Sequence, residues 1–188
     1  MFTDYLAASV AAIQSLASVE VEVDVAAVLL TESLRNGGKI MSCGNGGSAA
    51  EAAHFSTELL CRLEGERPPL ASINLTADGS FMTATANDYS YGRVFARQVE
   101  GLGRPGDALL VLSTSGNSPN IIEALHEARK RGIRTVALLG KSGGEAAPLA
   151  DVAVIVPCER TMHIQEAHLA LVHILCWKIE RGIYPAMA

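Results

Sequence analysis

Five short apolar runs are spaced along the chain, with stretches of helical period among them, and no other feature restricts the fold so tightly. The runs are residues 39–43, 70–75, 108–112, 135–139 and 152–156. Continuous apolar strands of this length suit a sheet buried on both faces, which is the habit of parallel sheets. The stretches between them supply the cover. Residues up to about Asn36 read as two helices broken near residues 18 to 22, with Ala26, Ala27, Leu29, Leu30 and Leu34 on one face. Gly37-Gly38 ends the second of them. Ser48-Ala49-Ala50-Glu51 has the capping-box pattern, so a helix is expected from Ser48 to about Arg62. Thr76-Ala77-Asp78 opens another. Pro119 begins a helix that runs to about Arg131, with Ser118 as its N-cap. The last helix covers about Thr161 to Arg181. Alternating strands and helices with right-handed crossovers give an α/β fold, a doubly wound five-stranded parallel sheet of order 2-1-3-4-5. The N-terminal helices are added outside it, and residues 1–188 form one domain.

Composition narrows the class of partner. The net charge of −5 provides no basic footprint for nucleic acid. Arg129-Lys130-Arg131 sits at a predicted helix end, where cations suit the macrodipole. No run of about 18 apolar residues indicates a membrane span, and Asp4 with no basic start argues against a signal peptide. Cys43, Cys61, Cys158 and Cys176 form no C-x-x-C pair and read as reduced thiols of a cytoplasmic protein.

The strand order makes strands 1 and 3 neighbours whose following helices leave on opposite faces, and ligands bind at such a switch. The two loops there are Gly44-Asn45-Gly46-Gly47-Ser48 and Ser113-Thr114-Ser115-Gly116-Asn117-Ser118. The second offers four hydroxyls just before a helix N-terminus, a setting that favours an anion. A solvent-exposed Ser-rich turn is the plainer alternative, and Ser48 reads as a cap. Neither loop has the spacing of a dinucleotide fingerprint or a nucleoside-triphosphate loop.

His54 and Glu58 are one turn apart on the helix that leaves the glycine loop, so they share a face. A carboxylate can remove a proton beside a carbonyl, and an imidazole can return one near neutral pH. An ordinary surface pair is the competing explanation. His173 sits among Ile164, Ala167, Leu169, Ala170, Leu171, Val172, Ile174 and Leu175, so it is expected to be buried and to need a partner. A backbone carbonyl, a metal or a substrate oxygen would serve. His54, Glu58 and His173 are reasonable zinc ligands, with Gln165 an unusual fourth through its carbonyl oxygen. His168 lies roughly 140° from His173 around the helix and belongs to a different site.

Taken together, Cys43-Gly44-Asn45-Gly46-Gly47-Ser48, His54-x-x-x-Glu58, Asn87-Asp88, Ser113 to Ser118 and Ile164-Gln165-Glu166, with His173 eight residues after Gln165, resemble the bacterial phosphoheptose isomerases of the sugar isomerase (SIS) domain superfamily. The resemblance implies conversion of sedoheptulose 7-phosphate to D-glycero-D-manno-heptose 7-phosphate through an enediol, for activated heptose and surface polysaccharide. It implies Glu58 as general base and His173 as general acid, and Ser113, Thr114, Ser115 and Ser118 as a phosphate cradle. Asn45, Gly46, Gly47, Glu58, Asn87, Asp88 and Gln165 would contact substrate, with Arg62 a further candidate. His54, Glu58, Gln165 and His173 would hold zinc. A homotetramer with active sites between subunits is also implied. The chain departs from relatives at Met162, where some have Asp, and at His163, where Arg or Lys is common, which bears on the sugar recognised. A superfamily branch that acts as a scaffold for the replication initiator lacks the carboxylate and imidazole present here. Isomerases of other phosphosugars and sugar-phosphate sensors are the remaining rivals.

Overall fold

Alternation along each strand decides how the molecule is layered. In the computed structural model, which describes residues 1–185, every strand of the sheet is parallel to its neighbours. The strands are β1 (Ile40–Gly44), β2 (Ser72–Asn74), β3 (Ala108–Ser113), β4 (Arg134–Gly140) and β5 (Val152–Val156). Their order is β2-β1-β3-β4-β5, as the sequence implied. Ile40, Ala108, Leu110, Leu112, Val136 and Leu138 point to one buried cluster. Met41, Cys43, Leu109, Val111, Ala137 and Leu139 point to the other. The first face is covered by α2 (Glu20–Arg35), α3 (Gly47–Leu60) and α7 (Thr161–Ile183), with α1 (Phe2–Gln14) lying against α7. The second is covered by α5 (Val94–Leu102) and α6 (Pro119–Lys130), with α4 (Gly79–Asp88) beside them. Helices α3 and α6 therefore leave neighbouring strands toward opposite faces, which creates the switch between β1 and β3.

Several boundaries differ from expectation for local reasons. The break between α1 and α2 is a 3-10 turn at Ser15–Val19, slightly earlier than anticipated. Helix α3 begins at Gly47, its N-cap is Gly46 at φ 56°, and no side chain caps it. Ser48 therefore lies inside the first turn and is not the cap. The helix also stops at Leu60, short of Arg62, because Arg67 folds back onto its last carbonyls. Strand β2 is confined to three residues at the sheet edge. Leu70 N–H turns back to the Leu59 carbonyl at the end of α3, which removes the first flank of the expected strand, while Leu75 N–H still pairs with the Ser42 carbonyl of β1. The basic run 129–131 does close α6. Among the described residues no helix is long and apolar enough to cross a membrane.

Candidate active site

Because β1 and β3 are paired in register from Ile40↔Ala108 to Gly44↔Leu112, the loops that follow them meet. Between them is a cavity of about 330 Å³ lined by Asn45–Ser48, Leu112–Ser115, Ser118, Thr161 and Gln165. Three helices begin at its wall. The N-caps of α3, α6 and α7 are Gly46, Ser118 and Arg160, and none makes a side-chain capping bond. Their first N–H groups have no partner within their own helices, and the positive ends of three dipoles converge. Ser118 occupies the N-cap position that was expected, yet its hydroxyl remains available to the cavity. The loop holds itself in shape: Ser113 Oγ accepts from Gly116 N–H at 3.1 Å and Ser115 Oγ from Asn117 N–H at 3.2 Å. Gly116 has φ 66°, and a Cβ there would collide with the Gly143 carbonyl. At Gly47 a Cβ would meet only the end of the Gln165 side chain, which would have to swing aside.

Asn45 and Asn120 exchange two amide hydrogen bonds of 2.9 and 2.8 Å, tying the glycine loop to the first turn of α6. The Tyr91 hydroxyl donates to Asn45 Oδ1 at 3.1 Å. Asn120, Tyr91 and Thr161 were not anticipated. Asn120 sits just after the helix-opening Pro119, which was a usable signal; Tyr91 and Thr161 carried none.

A second cluster lies on the facing sides of α3 and α7. His54 Nε2 is 3.1 Å from Glu58 Oε1 and 3.0 Å from His173 Nε2. The two rings meet nearly edge to face, with centroids 4.9 Å apart. The expected surroundings of His173 are corrected here: it is exposed, on a stripe of α7 with the exposed Leu169 and Trp177. The apolar circumference of α7 is thus only partly covered, because Leu169, His173 and Trp177 recur every fourth residue on its outer side. The buried histidines are His163 and His168. Ligand atoms of His54, Glu58 and His173 all lie within 4.8 Å of one another. Two imidazole nitrogens and a carboxylate oxygen are a suitable donor set for zinc, so these residues fit a metal. Gln165 stands eight residues before His173, about 12 Å along the helix axis, in the cavity against Gly47.

Asn87 and Asp88 end α4, exposed and bonded to each other at 2.9 Å, and neither lines the cavity. Arg62 donates to the Glu64 carbonyl at 3.2 Å. His163 binds inward: its Nδ1 lies 2.9 Å from Glu166 Oε2 and 3.2 Å from Ser9 Oγ, and its ring meets that of Tyr5 at a tilt of 58°. Ser9 donates to Glu166 at 2.6 Å, and the Tyr5 hydroxyl also donates to it. Burial pushes the Glu166 carboxyl up, but the bonds from Ser9, Tyr5 and His163 outweigh it and hold it at about 2. His163 is thereby spent on fastening α1 to α7.

Comparison with known proteins bears on this geometry. The SIS domain family model matches residues 3–140. The phosphoheptose isomerase of Akkermansia muciniphila is 48% identical over 171 residues, covering 91% of this chain and 90% of its own. The solved structure of a phosphoheptose isomerase from Francisella tularensis has a TM-score of 0.92 at 39% identity, covering 96% of both chains. That of Neisseria gonorrhoeae has 0.89 at 44%, covering 95% of this chain and 96% of its own.

Proposed function

Since the chain belongs to the phosphoheptose isomerase family of SIS-domain proteins and isomerises sedoheptulose 7-phosphate, we propose that Glu58 and His173 perform its proton transfers. The observation that carries this is the meeting of His54, Glu58 and His173, on helices whose N-termini open the hydroxyl-lined cavity. The phosphate is assigned to Ser113, Thr114, Ser115 and Ser118, with Asn45, Gly46, Gly47 and Gln165 as further substrate contacts; Asn87 and Asp88 lie outside this cavity and are not among them. Glu58 removes a hydrogen from C1 as a proton while His173 donates a proton to O2, which gives the 1,2-enediol. Glu58 then returns its proton to C2 as the O1 proton passes to His173. C1 is oxidised and C2 reduced within one molecule, so no external electron acceptor is needed. The product is D-glycero-D-manno-heptose 7-phosphate, for activated heptose and surface polysaccharide.

Gln165, in the cavity against Gly47, is kept as a substrate contact, while His54, Glu58 and His173 are the proposed zinc ligands. Zinc bound there would supply Lewis acidity toward the sugar oxygens. A second copy of the chain is the proposed cover for the exposed stripes on α1 (Phe2, Leu6, Val10, Ile13), α2 (Val21, Val25, Val28) and α7 (Leu169, Trp177). The exposure of His173 between Leu169 and Trp177 supports a homotetramer with active sites at subunit boundaries. Residues 1–188 are taken as one domain, with β5 and α7 beyond the matched segment. Free cysteines suit the cytoplasm.

The test is turnover of sedoheptulose 7-phosphate in heavy water, followed by NMR. Solvent deuterium should enter the sugar carbon, and Glu58→Gln should abolish both exchange and turnover while the oligomer stays folded. Robust turnover by that variant would eliminate Glu58 as the base.

A further inference from the structure

Proton transfer between two helices demands that their separation be fixed, and one buried ion pair is placed to fix it. Arg67 is wholly buried, and its Nε donates to Glu180 Oε1 at 2.7 Å. Its remaining donors turn onto the end of α3: Nη2 to the Glu58 carbonyl at 2.6 Å and Nη1 to the Leu59 carbonyl at 2.7 Å. A further bond from Nη1 reaches the Pro68 carbonyl at 3.1 Å. The last carbonyls of a helix lack intrahelical partners, so a five-donor fork here both caps α3 and sets its position. Glu180 Oε1 also accepts from Leu63 N–H at 3.1 Å. On α7, Glu180 follows His173 by seven residues, two turns along the same face. Thus one guanidinium grips the backbone of the residue that bears the carboxylate, and its partner sits on the face that bears the imidazole.

We propose that Arg67 and Glu180 are positioning residues for the isomerisation: their ion pair holds Glu58 and His173 in register across the α3–α7 interface. The proposal rests on the assignment of those two residues as base and acid. The phosphate cradle is built on other loops, at the far end of both helices, so loosening this pair should disturb chemistry and not binding.

Glu180→Gln keeps an oxygen acceptor in place, whereas Glu180→Ala removes it. Arg67→Lys keeps the charge but cannot reach several acceptors at once. For protein verified as folded by circular dichroism, kcat should fall about 10- to 100-fold in Glu180→Ala and Arg67→Lys, with KM within about twofold. Glu180→Gln should stay within about threefold of the parent even though its melting temperature drops. A purely structural role would lower melting temperatures and leave kcat of the folded protein unchanged in all three; that result overturns the proposal, as does a KM that rises in step. Should Glu180→Ala not fold, Arg67→Lys against Glu180→Gln makes the same comparison. Imidazole ¹H–¹⁵N spectra of the ligand-free protein give a second readout. The His54 and His173 resonances should shift in Arg67→Lys and hold in Glu180→Gln. If the parent chain does not turn over the sugar, the assignment of base and acid falls, and these spectra alone decide the positioning claim.

Discussion

Glu51 and His168 show how a single buried pair can set a pH window. Glu51 Oε2 and His168 Nδ1 lie 3.9 Å apart, and neither has a hydrogen-bond partner. Burial pushes the Glu51 carboxyl up to about 7, against the pull of a bond from Ser48. Burial likewise brings His168 down to about 4, against its bond to the Leu139 carbonyl. The two effects act in opposite directions. Below the ordinary carboxyl value of 4.5, Glu51 is protonated folded or unfolded and costs nothing; as pH rises through about 7, the folded state must ionise a buried group and loses stability. As pH falls from 6.5 toward 4, unfolded His168 takes up a proton that the folded state refuses, and stability is lost there too. Glu51→Gln should therefore melt higher than the parent at pH 8, with the gap closing as pH falls toward about 4.5. Equal gaps at both pH values would show that Glu51 is not held neutral. At the metal-type cluster, added zinc should raise the melting temperature of the parent by mass action. His54→Ala should blunt that shift, and an identical shift in the variant would place the ion elsewhere.

At the scale of elements, helix N-termini matter more than their sequences suggested. Removing an ordinary N-cap costs about 1 kcal/mol, but Ser118 makes no capping bond, so Ser118→Ala should cost less than that. It should instead raise KM about 10-fold or more, the worth of a hydrogen bond to a charged oxygen. Ser115→Ala should do the same with an added loss of loop order, since Ser115 Oγ also receives Asn117 N–H. Unchanged kinetics in both would remove the cradle from the phosphate. The strand order was legible because doubly buried strands must be continuously apolar and crossovers have one hand. The end of α3 was not, because it depends on Arg67, a long-range partner with no local signature. Helix α5 was not anticipated, although Val94, Phe95 and Val99 recur at helical spacing opposite Arg97 and Glu100, so its period was legible. His54 and Glu58 could be paired from spacing alone. The exposure of His173 could not, because helix periodicity does not say which apolar stripe the rest of the chain will cover.

For the whole molecule, the uncovered stripes on α1, α2 and α7 make assembly the central question. Rows of exposed apolar side chains on one helix face are what an interface between copies would cover. Trp177→Glu, on the stripe that carries His173, should lower the mass measured by light scattering and lose turnover in the same step. A variant that remains fully assembled and active would show that this face is not an interface.

The cavity proposed for the phosphate has neither lysine nor arginine among its lining residues. A phosphate placed there would meet, among these residues, backbone amide and hydroxyl hydrogens, of which only the hydroxyls can turn away to water. The consequence would be kinetic: a phosphate held so breaks no ion pair with these residues when it leaves, so they steady the reactant without trapping the product.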